Sequence, residues 1–236
     1  MTMVLDDILI ELRNHGSKEK ALVLQRFFKT APGEYGEGDI FLGVKVPEIR
    51  KIAKEYQTID LKSAKQLLRS TIHEERLLAL LILVLKYSKG NDNEKNRIYT
   101  LYLKNTRYIN NWDLVDLSAE KIIGPHLADK NRKPLQILAR SDDLWERRIA
   151  ILSTFHYIKL NEFNETLELS KILLYDSEDL IHKAVGWMLR EVGKRHIQTE
   201  KKFLKEHYRN MPRTMLRYAI ERFPEPERKR YLKGSA

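Results

Sequence analysis

Two stretches, Arg147-Arg148-Ile149-Ala150-Ile151-Leu152 and His182-Lys183-Ala184-Val185-Gly186-Trp187, decide the fold. In each, a basic residue is followed at once by an apolar helical face. The same arrangement returns in Glu75-Arg76-Leu77-Leu78-Ala79-Leu80 and in Leu216-Arg217-Tyr218-Ala219-Ile220. The basic positions are 76, 148, 183 and 217, which leaves one copy due near 112, where Asn111-Trp112-Asp113-Leu114-Val115-Asp116 stands. The register 76, 112, 148, 183, 217 has spacings of 36, 36, 35 and 34, the length of a helix pair. Units of that length stack because neither helix can bury its apolar stripe alone.

Working outward, apolar residues recur three and four apart along the chain, as in Leu5-x-x-Ile8-Leu9-x-x-Leu12 and Ile149-x-x-Leu152-x-x-Phe155. No alternating segment of strand length interrupts them. Ser17, Asp60, Asp142, Ser177 and Thr199 are candidate N-caps, Pro47 and Pro212 candidate first-turn prolines, and Gly124-Pro125 a helix end. The expected fold is all-α: an α-solenoid, or superhelix, of HEAT-like two-helix repeats with a concave basic face, forming one domain over 1–236. The glycine-rich segment Pro32-Gly33-Glu34-Tyr35-Gly36-Glu37-Gly38-Asp39 reads as a connector or a mobile loop at the edge of a nucleic acid. It is not a phosphate cradle, because Glu34, Glu37 and Asp39 would repel phosphate and no Gly-Lys-Ser/Thr follows.

The chain has 236 residues and a net charge of +10, with 43 Lys and Arg against 33 Asp and Glu. Residues from Arg190 onward hold 14 of those cations against 6 acids, which suggests a polyanionic partner. No cysteine is present, which excludes thiolate chemistry and disulfides. The seven histidines lack metal-ligand spacing, so no metal is expected. The longest apolar run, Leu77–Leu85, is too short for a bilayer span, and the start of the chain does not read as a secretory signal. These features suit a cytoplasmic, nucleoid-associated monomer with no membrane partner.

The register also selects side chains. Homologous positions in stacked repeats share a surface, and residues four apart share a helical face. Trp112, Asp116, Arg148, Lys183 and Trp187 are thereby expected near one another, flanked by Arg76 and Arg217. A row of Arg and Lys at the repeat spacing follows a phosphodiester backbone. Either indole alone suits a core position, but two in register with a carboxylate and cations suggest a binding surface. Asp116 among cations could stabilise a developing positive charge or position a water, with pairing to Arg148 as glue between repeats the alternative. Asp113 fits a helix N-terminal turn, and Trp145 a position packed between helices.

On these residues the chain resembles the AlkD-type DNA alkylation repair proteins, HEAT-like repeat DNA glycosylases that excise N3- and N7-alkylated purines. The resemblance rests on Trp112-Asp113-x-Val115-Asp116, Trp145-x-x-Arg148-x-Ala150-Ile151-Leu152, Lys183-Ala184-x-Gly186-Trp187-x-Leu189-Arg190-Glu191, and Phe41-Leu42-Gly43-Val44-x-x-Pro47 with Arg50. It implies an N-glycosyl hydrolase that needs no cofactor and acts on double-stranded DNA, alkylated or distorted. By resemblance, Asp116 is the catalytic carboxylate and Arg148 its partner, while Trp112 and Trp187 wall the lesion site. Phe27, Arg76, Lys183 and Arg217 complete the expected contact set. Phe27 stands where the glycosylases carry a tyrosine, and His156 where they carry a phosphate-contacting lysine. These departures, with the long 32–39 loop, keep open a non-catalytic binder of branched or damaged DNA. A HEAT-like protein-interaction scaffold is the third reading.

Overall fold

A computed structural model describes residues 2–236. Among the described residues it contains sixteen α-helices, two 3-10 turns and no strand. A lone parallel bridge joins Ile40 to Ile72. The expected all-α class is what the chain adopts. Its contacts cluster into two compact units, Met1–Ile122 and Ile123–Ala236, along what the sequence presents as one repeat domain.

The first unit holds α1 (Thr2–Asn14), α2 (Lys18–Phe27), α3 (Val46–Glu55), α4 (Leu61–Leu68), α5 (His73–Lys89), α6 (Asp92–Leu103) and α7 (Trp112–Asp116). The division falls within α8 (Ala119–His126). The second unit continues with α9 (Lys133–Leu138), α10 (Leu144–Ser153), α11 (Phe155–Lys159), α12 (Asn164–Ile172), α13 (Asp179–Arg195), α14 (Ile197–His207), α15 (Arg213–Ala219) and α16 (Glu225–Lys233).

Each unit is organised around one 17-residue helix. In α5 every residue from His73 to Leu83 is buried, and α3, α4, α6 and α7 pack around it. A helix without a polar side must be enclosed, and enclosure requires neighbours on all faces. In α13, Gly186 allows α15 to approach, because a Cβ there would collide with the Met215 carbonyl oxygen and Tyr218 Cβ. The register positions recur at one place in three helices of the second unit, but not in the first, where Arg76 is the fourth residue of α5 and Trp112 the first of α7. Arg148, Lys183 and Arg217 are each the fifth residue of α10, α13 and α15.

Ser17 and Asp60 cap α2 and α4, accepting from the Lys20 and Ser63 amides, and Pro47 lies in the first turn of α3. Other expected ends move. Asp143 rather than Asp142 caps α10, accepting from the Trp145 amide at 2.7 Å. The cap of α13 is Glu178 rather than Ser177, and Pro212 is itself a cap. At α14 the His196 ring accepts from the Thr199 amide, so the helix starts before the expected cap. Gly124-Pro125 does not end α8, which runs to His126. Pro125 comes so near the terminus that its missing N–H costs one bond only. No helix among the described residues is long and apolar enough to cross a membrane.

Glu200 of α14 is nearly fully buried, and its Oε1 has no hydrogen-bond partner. Burial pushes its pKa up to about 8, against opposition from the Arg190 charge. Folding therefore holds a proton that the unfolded chain releases near 4.5, so the contribution of Glu200 to stability is full below that value and is lost as pH rises to about 8. Glu200→Gln is expected to raise the melting temperature at pH 8.5 by several degrees, corresponding to about 1–3 kcal/mol. Little gain is expected at pH 4.5. Thermal unfolding followed by circular dichroism checks this, and a gain equal at both pH values contradicts it.

Candidate functional site

The opening of α5 places four titratable side chains in succession, His73-Glu74-Glu75-Arg76, and all four are buried. Buried charge is costly unless paired, so each demands a partner. Glu74 accepts three backbone amides: Leu42 at 2.9 Å, Gly43 at 2.8 Å and Val44 at 3.2 Å. Gly43 has φ +82°, and a Cβ there would strike the Ser17 carbonyl oxygen, so the Phe41–Val44 motif exists to wrap this carboxylate. Glu75 pairs with Arg13 at 3.4 Å.

His73, 1% exposed, is clamped at both ring nitrogens: Nδ1 lies 3.0 Å from Asp39 and Nε2 2.8 Å from Asp113. Burial alone would depress the imidazole, but its bonds to Asp113 and Asp39 outweigh that, and its pKa is raised. Burial likewise works to raise Asp39, yet the His73 bond and the charges of Arg76 and His73 hold it below the ordinary carboxylate range. Arg76 donates to Asp39 at 2.6 Å and to the Ser70 carbonyl at 3.0 Å. The expectation that Arg76 belongs to an open row of cations is corrected here. It is 3% exposed because Asp39, delivered by the 32–39 loop, draws it inward. That loop is therefore more than a connector. Its Glu34 and Glu37 are occupied in capping the Ala31 and Gly33 amides.

The network ends at α7. Asn111 donates to Asp39 at 3.4 Å and accepts from the Trp112 amide at 2.8 Å. Asp113 accepts from the Leu114 amide at 2.9 Å while it holds His73. Above this base the rings form a column. Trp112 stacks on Phe28 at 5.0 Å, Phe28 on Phe41 at 5.1 Å, and Phe41 on the His73 ring at 4.4 Å. An imidazolium against an aromatic face adds cation–π attraction. Phe27, 62% exposed, meets Trp112 edge-on at 5.9 Å. Trp112 and Asp116, both half-buried, are one turn apart on α7. The Asp116 charge also adds to the upward shift of the Tyr102 phenol, which burial dominates.

In the second unit Arg148 is 5% exposed, and its guanidinium donates to the Leu180 carbonyl at 2.6 Å. Its expected place on an open basic row is corrected in the same way as that of Arg76: it joins α10 to the first turn of α13. Lys183 is partly exposed and pairs with Asp179 at 2.7 Å. Trp187, one turn further along α13, is half-buried, lies 6.0 Å from Phe155 and hydrogen-bonds Glu191. Arg217 on α15 is exposed, Trp145 is packed inside, and His156 lies against Gly124, where a Cβ would crowd it.

A family model described as DNA alkylation repair enzyme matches residues 8–223. The chain belongs to that family. Among solved structures, the DNA alkylation repair chain shares its fold with a predicted DNA alkylation repair enzyme from Enterococcus faecalis. The two are 19% identical with a TM-score of 0.68, covering 89% of this chain and 98% of that one. AlkD2 from Streptococcus mutans is also similar, at 19% identity and a TM-score of 0.54, covering 88% and 99% respectively. No curated protein sequence matches.

Within this DNA alkylation repair chain, the first unit brings Phe27, Trp112 and Asp116 together, and the second groups Arg148, Lys183 and Trp187 on α10 and α13. The sequence reading overlooks Phe28, Asp39, His73 and Asn111, and assigns Asp113 only to a helix turn. One signal was available: four consecutive titratable residues opening a helix whose next nine residues, Leu77–Leu85, are apolar. Removing the imidazole would leave Asp39 and Asp113 buried without their shared partner. His73→Asn is expected to destabilise the chain by about 3–5 kcal/mol near pH 6. Because His73 is raised when folded, its contribution is full below pH 6.5 and diminishes as pH rises through the folded value. Urea unfolding followed by tryptophan fluorescence at several pH values measures this, and a loss that grows with pH opposes it.

Proposed function

We propose that the chain binds double-stranded DNA and hydrolyses the N-glycosidic bond of N3- or N7-alkylated purines. The observation that carries this reading is the pairing of Trp112 and Asp116. They are an accessible indole and a carboxylate one turn apart on a five-residue helix, anchored from below through Asn111 and Asp113. A rigid platform of this kind suits electrostatic stabilisation, which works only when the charged group need not reorganise.

An alkylated purine already carries positive charge, so its C1′–N bond breaks with the electron pair leaving on the base. Charge then develops on the sugar. Asp116 faces that oxocarbenium-like centre and orients the water that adds to C1′, whose proton passes to solvent. The products are the free base and an abasic site. Trp112 and Phe27 supply ring surface to the lesion. Lys183, Arg217 and Trp187 contact the DNA, and Arg148 is a positioning residue that holds the start of α13 through the Leu180 carbonyl. The non-catalytic binder is the second reading, favoured by His156, which packs at Gly124.

Wild type is expected to release N7- or N3-methylpurine from alkylated duplex DNA. Asp116→Asn should lower that rate by about 10²–10³-fold while leaving binding in place. Chromatographic assay of the freed base measures this. Binding without release by wild type supports the non-catalytic reading instead. In a separate measurement, Lys183→Ala with Arg217→Ala should reduce the salt dependence of duplex affinity by roughly one log–log unit per cation. An unchanged slope removes these two residues from the contact surface.

A further inference from the structure

Helices α4 and α6 of the first unit leave between them an open groove of about 820 Å³ that the Trp112–Asp116 platform does not use. Its walls carry Lys62 and Lys65 from α4 with Arg69 at its C-cap, and Arg97 from α6 with Lys104 at its C-cap and Asn105 just beyond. The spacing is helical on both sides. Lys62, Lys65 and Arg69 follow one another at three and four residues, and Arg97 and Lys104 are two turns apart, so both rows face the same trough.

No carboxylate lines the groove. Asp60, at the start of α4, accepts from the Ser63 amide at 2.8 Å, and Glu94 of α6 pairs with Lys86 of α5 at 3.3 Å. Like charges one turn apart destabilise a helix, and here five line one trough, with Asp60 acting on Lys62 from outside it. A bound polyanion removes that repulsion. Arg69 is also held in place: its Nε donates to Asn105 at 2.8 Å, and its guanidinium lies 5.5 Å from the Tyr108 ring. Arg107 covers the same ring at 4.6 Å.

We propose that this groove binds a short segment of single-stranded DNA. Lys62 to Arg69 spans about 10 Å at the helical rise, room for roughly three nucleotides at the per-strand rise of DNA. A trough between neighbouring helices admits one strand more readily than a duplex. Leu61 and Leu101 add apolar surface to it, and the guanidinium groups of Arg69 and Arg107, carried on the Tyr108 ring beyond its end, give planar groups for a base to stack on. Cations tracking a backbone beside a planar stacking platform are the elements of sequence-tolerant strand binding. An acidic peptide would satisfy the charge but leave the apolar surface and the planar groups without a role.

The test is fluorescence anisotropy of the full chain with a short labelled oligothymidylate, across a salt series. Wild type should bind with a log–log salt slope of about −2, as roughly three phosphate contacts on a single strand predict. Lys62→Glu with Arg97→Glu should weaken binding by at least about tenfold, since both side chains are exposed and reverse the groove's charge. Lys65→Ala with Lys104→Ala, which adds no repulsive charge, should flatten the slope by about 1.4. Both pairs should leave the helical circular dichroism and methylpurine release from duplex DNA unchanged, which separates this groove from the Asp116 site. Wild-type failure to bind, affinity unaffected by both pairs, or displacement of the strand by an oligoglutamate of equal charge would each overturn the proposal.

Discussion

The His73 imidazole, clamped between Asp39 and Asp113, is the constraint on which the first unit depends. Its two carboxylate partners come from opposite sides, one from the 32–39 loop and one from α7. A cation in a low-dielectric interior is tolerable only with such partners, and the partners are tolerable only with the cation. Loop, α5 and α7 are thereby committed to one arrangement. Arg76 and Asn111 extend it, the first by binding the far oxygen of Asp39 and the second by tying Asp39 to the N-cap of α7.

Function would draw on this rigidity. A five-residue helix has little intrinsic stability, since one hydrogen-bonded turn scarcely repays its nucleation. Yet α7 bears the indole and the carboxylate to which the proposed chemistry is assigned. Its stability is supplied from beneath by Asn111 and Asp113, and from the side by the Trp112–Phe28–Phe41 stack. The proposed reaction needs a fixed negative charge rather than a strong base, and fixed geometry is what this construction provides.

The second unit solves a similar problem with different chemistry. Arg148 donates to the Leu180 carbonyl, and Arg147 binds Asp176 and the Ser141 carbonyl, so the basic pair at the heart of the repeat joins α10 to the approach and first turn of α13. Arg148 in one unit and Arg76 in the other thus hold structure together. Lys183 and Arg217, at the same register but with outward ends, remain reachable.

The sequence alone determined the helical class, the period near 35 residues, and the residues that share a helical face, because these follow from local spacing. It therefore contained Trp112 and Asp116 as a pair, and Lys183 with Trp187. It could not say whether a cation at a shared register points to solvent or to a buried acid. That depends on whether a carboxylate from a distant segment arrives there, as Asp39 does for Arg76 across 37 residues of chain. Nor could it disclose that Gly43 is needed to fold amides around Glu74, or that Phe28 and Phe41 align between Trp112 and His73. Periodicity is a property of neighbours along the chain. Pairing of buried charge is a property of neighbours in space, and only the tertiary structure decided it.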